Sequence, residues 1–233
     1  MTADDLISLT REYLGDTVAP YLWSDGFLLG ALNRAEQEAA VRTLCLPDAT
    51  TTAICRIALV AGTARYAHDP RIIRIESIYL DGALLEHVDA ADMDARFGAA
   101  WATEANTPMH WFSDGRTLTV HPTPVLPGAL ELVVYRWPMV DMTLNASPKV
   151  APEIDVKWHR ALAHWVCFEA YQMVDTDNQR GDRAMPHLAQ FEQVFGPAVS
   201  ARVQRHQRCS PRLLSLTAAP YVRPHHRGRG DWP

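Results

Sequence analysis

Residues 21–39 read YLWSDGFLLGALNRAEQEA. Ser24 is a good N-cap, because its hydroxyl can accept from a first-turn N–H, and Asp25 complements the positive end of a helix. Phe27, Leu28, Ala31, Leu32, Ala35, Ala39 and Leu44 then recur on one face. The pattern predicts a helix from Ser24 to about Leu46, closed by Pro47. Asparagine is a mediocre interior helix residue because its side chain competes for backbone hydrogen bonds. Asn33 borders the apolar stripe, so its expected role is packing and registry, through a bond to an adjacent helix or to a loop of the β region that follows.

Working outward, Thr2 and Asp5 form a capping-box start. Leu6, Leu9, Tyr13 and Leu14 mark a short helix ending at Gly15. C-terminal to Pro47 the period changes. Residues 51–61 (TTAICRIALVA) and 71–80 (RIIRIESIYL) are β-branched and partly alternating, which reads as strand. Asp81-Gly82 and Asp114-Gly115 each separate two such runs and predict hairpins, with a type I′ signature. Between them Asp89 can cap a short acidic helix, AADMDARF, and GALELVVYRWP supplies a last strand.

Helical spacing returns at Ile154. Ile154, Trp158, Ala161, Trp165 and Phe168, widened by Leu162, Val166 and Met173, predict a helix to about residue 175, roughly 30 Å long. A fourth helix carries Leu188, Phe191, Phe195, Val199 and Val203, with a kink or break at Gly196-Pro197. The fold class is therefore α+β: an antiparallel helical bundle of about four helices with an inserted, mostly antiparallel β unit and an extended C-terminal tail. The expected division is 1–47 plus 148–208 for the bundle, 48–147 for the β domain and 209–233 for a Pro- and Arg-rich tail. Leu28, Leu32, Trp158, Leu162, Trp165, Phe168, Phe191 and Phe195 form the expected bundle core.

Composition bounds the function. The 233 residues are 48% apolar and 21% charged, ordinary for a globular protein. No apolar run approaches the ~20 residues of a membrane span, and the acidic, amphipathic start resembles neither a signal nor a transit peptide. The protein is thus expected to stay where it is made, unless carried out within a larger object. Cys45, Cys55, Cys167 and Cys209 are scattered without a C-x-x-C pair, which argues against zinc, redox or disulfide frameworks. Charge is polarised. From Arg202 onward seven arginines stand against Asp231, a balance of +6, which leaves −11 on residues 1–201 out of the total of −5. Such a tail docks on an acidic partner or on nucleic acid.

No catalytic constellation emerges. His159 and His164 are five apart without the intervening glutamate of H-E-x-x-H, so they read as polar-face histidines. Asp175, Asp177, Gln179 and Gly181 imitate a calcium loop, but glycine falls at place 7 and Pro186 at place 12, so a capping turn is the better reading. The two Arg-Gly-Asp tripeptides, at 180–182 and 229–231, are cheap coincidences in an arginine-rich chain. Nucleotide loops and nucleophile elbows are missing, hydroxyls around residues 43–63 have no sequence-readable base, and paired acids such as Asp92 and Asp94 read as a solvated face. No cofactor, no metal and no enzyme activity are expected. No recognition helix or interleaved Arg–aromatic strand favours sequence-specific DNA binding either.

Several stretches taken together resemble the head-to-tail adaptor proteins of tailed bacteriophages, also called connector or head-completion proteins. They are Trp23-Ser-Asp25 with Asn33-Arg-Ala-Glu-Gln-Glu-Ala39, Ala61 to Thr63 with Tyr66, and RIESIYLDGALL from Arg74 to Leu85. They continue with LTVHPTP (Leu118 to Pro124), YRWP (Tyr135 to Pro138), IDVKWHRALAHW (Ile154 to Trp165) and a helix containing F-x-x-x-F-G (Phe191 to Gly196). The resemblance spans roughly residues 5–208. It implies a structural virion protein in the neck, assembled in the host cytoplasm, which forms a ring under the portal, commonly of twelve copies. It also implies a channel through which genomic DNA passes without sequence-specific binding, and a lower surface that receives tail or nozzle proteins. Position within the chain then makes Arg202, Arg205, Arg208, Arg212, Tyr221, Arg223, Arg227 and Arg229 the expected portal contacts. The competing readings are a tail-completion or stopper protein of the neck and a nonspecific DNA-binding protein.

Overall fold

The computed structural model describes residues 1–98, 101–173 and 181–209. The N-terminal half opens with α1 (Ala3–Leu14) and α2 (Asp25–Thr43). Thr2 accepts from the Asp5 N–H while the Asp5 carboxylate accepts from the Thr2 N–H, so the expected capping box is present, and Gly15 closes α1 in the left-handed region. Ser24 Oγ accepts from the Phe27 N–H, starting α2 where the sequence placed it. The chain continues through β1 (Pro47–Asp48), α3 (Thr52–Cys55), β2 (Arg56–Leu59), β3 (Arg65–Ala67) and β4 (Ile72–Leu80). Next come β5 (Ala83–Leu84), β6 (Glu86–His87), α4 (Ala90–Phe97), β7 (His110–Ser113), β8 (Thr117–His121) and β9 (Gly128–Arg136). Three helices close the described chain: α5 (His159–Gln172), α6 (Gly181–Phe195) and α7 (Ala201–Cys209).

The strands form two sheets. In the first, β9 is flanked on one edge by β1 and β2 and on the other by β4, which carries β5. The second runs β3-β8-β7-β6, and within it β6 and β7 pair in parallel, an exception to the otherwise antiparallel ladders. Side chains from both sheets fill one apolar core, including Ile75, Ile78, Trp111, Leu118, Leu130 and Leu132. A second core gathers α1, α2, α5 and α6 around Leu6, Leu28, Leu32, Leu162, Val166 and Phe191. Ile73, on the opposite face of β4 from Ile72, belongs to this helical core. The first sheet is therefore covered on both faces along part of β4, and the two cores share a wall.

Several elements depart from their sequence patterns. Residues 52–55 are helical, not the start of a strand, because the Asp48 carboxylate accepts from the N–H of Thr50 and of Thr51 and from the Thr51 hydroxyl. That local bonding outweighs the β propensity of the run. The Asp81-Gly82 turn has positive φ at both residues, as type I′ requires, whereas at Asp114-Gly115 only the glycine does. Asp114 instead accepts from the Arg116 and Thr117 N–H groups, giving a wider turn. α4 lacks the Asp89 side-chain cap bond, its first turn being closed through the Asp89 carbonyl. α5 is shorter than the pattern implied. Residues 156–158 form a 3₁₀ turn, capped by Asp155 accepting from the Lys157 N–H, and the α-helix begins only at His159. The chain breaks at Gly196-Pro197, and α7 then packs against β4 and β7 of the β unit, away from the helical core in which the sequence placed residues up to 208.

Candidate interaction surfaces and the buried polar junction

Asn33 lies mid-way along α2 and reaches the connector between β9 and α5. Its Oδ1 accepts from the Met142 N–H at 2.8 Å and its amide donates to the Met142 carbonyl at 3.3 Å. One turn on, Glu36 is 1% exposed and its Oε1 accepts from the N–H groups of Glu153 and Ile154. Burial pushes its carboxyl up to about 7, opposed by those two N–H groups and reinforced by the negative charges of Glu153 and Asp141. Glu153 in turn accepts from Arg136 Nη1 at 2.7 Å and from the Val140 N–H. Arg136 bridges to Asp48 through Nε at 2.8 Å. Burial alone would raise the Asp48 carboxyl, but the Thr51 hydroxyl, two N–H groups and Arg136 hold it well below the usual carboxylate range. One continuous polar chain thus joins α2, the connector, β9 and β1 at the wall between the cores. Glu36 was missed in the sequence, although it sits four residues after Leu32 and eight after Leu28, on the apolar stripe itself.

Arg42 is a second such fastener. Its guanidinium lies 5.2 Å from the Trp165 ring centre and 5.1 Å from that of Phe191, and it donates to the Gly196 carbonyl at 2.9 Å. It pins the end of α6 to α2 and α5. Among the expected core residues, Leu28, Leu32, Leu162, Phe191 and Phe195 are buried, while Trp158, Trp165 and Phe168 are half-buried on its margin. The buried face of α5 runs instead through Leu162, Ala163, Val166, Cys167 and Ala170, rotated from the aromatic stripe.

The histidines do not form the polar face suggested by their spacing. His159 is buried, with Nε2 2.9 Å from the Ile154 carbonyl and Nδ1 against Met1. His164 is half-buried, stacked on Tyr13, with Nδ1 3.0 Å from His187 Nδ1. Both rings of this pair have their pKa lowered, chiefly by burial. The described residues contain no group of three or more His, Cys, Asp or Glu side chains placed to hold a metal ion. The four cysteines are free thiols, and burial pushes Cys55 up to about 11 and Cys167 up to about 12, far from a reactive thiolate. The calcium-like turn at 175–179 lies outside the described residues.

Two surface features remain. On the β unit the exposed Val125 and Leu126 line a cavity of about 120 Å³ together with Leu59, Leu80, Pro108 and Gly128. On another side α7 and the β7–β8 turn enclose a groove of about 520 Å³ lined by Asp114, Gly115, Arg116, Gln204, Arg205 and Arg208. Of the residues expected to meet the portal, Arg202, Arg205 and Arg208 are exposed on α7, and Arg205 and Arg208 face this groove. Arg212, Tyr221, Arg223, Arg227 and Arg229 lie outside the described residues. No helix of the described chain is long and apolar enough to cross a membrane.

The chain belongs to the SU10 adaptor protein family, whose model matches residues 1–213, and it is therefore a structural phage adaptor. No curated protein matches it.

Proposed function

We propose that this protein is a head-to-tail adaptor that forms a ring beneath the portal in the virion neck, prolongs the DNA channel and offers the surface to which tail or nozzle proteins attach. The family match over residues 1–213 carries this reading. The polarised charge supports it. A body at −11 repels phosphate, so a genome can slide past without adhering. Of the residues expected to clasp the portal, Arg205 and Arg208 line the α7 groove, which leaves Arg202 and, beyond α7, Arg212, Tyr221, Arg223, Arg227 and Arg229 for that contact. In this picture the helical core forms the ring's bundle and the β unit is inserted into it. The family resemblance implies a ring of twelve copies.

Mixing the protein with the portal of the same phage and imaging the product by electron microscopy tests this. Discrete rings on the portal are the expected result, and deletion of residues 210–233 abolishes them. Absence of portal binding overturns the reading, while binding unchanged by the deletion removes the tail from it.

A further inference from the structure

Of the fifteen arginines among the described residues, seven sit in ion pairs: Arg11 with Asp16 and Asp25, Arg34 with Glu169, Arg42 with Glu38 and Glu192, Arg71 with Asp69, Arg74 with Glu76, Arg96 with Glu86, and Arg136 with Asp48 and Glu153. Arg116, Arg205 and Arg208 are exposed and make no ion pair among the described residues, yet they converge on one groove. Arg56, Arg65, Arg160 and Arg183 are also without an ion pair among the described residues but belong to other elements, and Arg202, likewise unpaired, lies on α7 without lining the groove. The groove's acid, Asp114, is already committed. The Thr117 N–H and hydroxyl and the Arg116 N–H hold its carboxyl down to about 2. A second cavity of about 290 Å³, lined by His68, Pro70, Ile72, Gly115, Arg116 and Arg208, continues the depression on the other side of Arg116 and Arg208.

The depression is built by close approach. Gly115 has φ +88°, which strains any side chain, and a Cβ there would stand 3.3 Å from the Arg208 Cβ, a tight contact, so glycine suits the close approach of α7 to the turn. The three guanidinium groups are thereby carried on two elements held in contact. Planar guanidinium donors of this kind suit carboxylates. The following segment is a poor source of the anion, since residues 210–233 carry Arg212, Arg223, Arg227 and Arg229 against the single acid Asp231. Residues 1–201 of another copy can, because they carry −11 and display exposed carboxylates such as Asp81, Asp92, Asp141 and Asp182 that make no ion pair among the described residues. A compact groove also fits a short acidic segment better than a duplex, whose backbone would need an extended basic stripe.

We infer that the groove of Arg116, Arg205 and Arg208 receives an acidic segment from a second copy of this chain, making a head-to-tail contact that closes into a ring. The contact is heterologous, the basic groove of one copy meeting an acidic face of the next. The inference rests on the adaptor reading and names the surface that would join neighbours.

Sedimentation velocity on the full chain, at about 20 mM and about 500 mM salt, tests it. The wild type associates with rising concentration at low salt and dissociates at high salt. R116E/R205E/R208E weakens association at least tenfold. Should the triple variant melt well below the wild type, Arg116→Glu alone, on an exposed turn, takes its place. A wild type that stays monomeric throughout, or association that charge reversal leaves unchanged, overturns the inference. A parallel titration with a 30-base-pair duplex separates nucleic acid from protein. Loss of duplex binding in the variant with self-association intact makes the groove a DNA contact and also overturns it. Portal-bound rings formed by the variant would sink the groove while leaving the adaptor reading standing.

Discussion

Glu36 shows how a single side chain can govern the response to pH. Its carboxyl titrates at about 7 in the fold against an ordinary value of 4.5, because burial penalises its charge. A group whose folded pKa is raised stabilises the fold fully below the ordinary value, and that contribution falls as pH climbs through the folded value. Stability should therefore decline between about pH 4.5 and 7, by up to about 3 kcal/mol from this residue. Glu36→Gln keeps an oxygen able to accept from both the Glu153 and Ile154 N–H groups and removes the charge. The variant should melt higher than the wild type at pH 8 and show a flatter melting-temperature profile from pH 5 to 8. A profile as steep as the wild type's assigns the dependence elsewhere. Asn33 poses the complementary case, since both Met142 backbone groups it satisfies belong to a residue 1% exposed. Asn33→Ala orphans a donor and an acceptor and should cost about 1–3 kcal/mol in urea unfolding. Asparagine amid α2 could be read as a joining residue from sequence. Glu36 was invisible because the N–H groups it serves lie 117 and 118 residues away.

At the scale of elements, legibility followed the range of the forces. The starts of α1 and α2, the Asp81-Gly82 hairpin and the break at Gly196-Pro197 are set within a few residues, and the sequence revealed them. The helical turn at Thr52–Cys55 was hidden because it depends on which way the Asp48 carboxylate points. The face of α5 was misjudged because Trp158, Trp165 and Phe168 looked like its centre. Smaller residues occupy the centre, where α1, α2 and α6 crowd in, and the large rings seal the edge. The seat of α7 was the least legible element. It depends on the missing side chain of Gly115, which has φ +88° and faces Arg208. Gly115→Val should strain the turn, lift α7 from β4 and β7 and destabilise the protein by about 1–3 kcal/mol. Amide hydrogen exchange in residues 201–209 should rise by an order of magnitude or more, with α2 and α5 unaffected. Unchanged protection there would show that the turn does not seat the helix.

The described residues build two apolar cores with a shared wall and a polar chain running along it. Packing alone gives each core its own reason to fold, so cooperativity between them depends on what crosses the boundary. Ile73 supplies an apolar link, and the Asp48–Arg136–Glu153–Glu36 chain supplies the polar one. Its central cation neutralises two carboxylates at once, at 2.8 and 2.7 Å. In the ring proposed above such coupling would matter, since a soft joint would let the β unit swing against the helices. Arg136→Met retains much of the aliphatic length and removes the charge, leaving Asp48 and Glu153 facing each other without a cation. Breaking a buried pair from one side costs about 3–5 kcal/mol, and here the loss falls on the joint. Calorimetry of the wild type should show a single transition, and that of the variant two, with the helical core and the β unit melting separately. A variant that still melts in one step, merely at lower temperature, would place the coupling in the apolar wall around Ile73 instead.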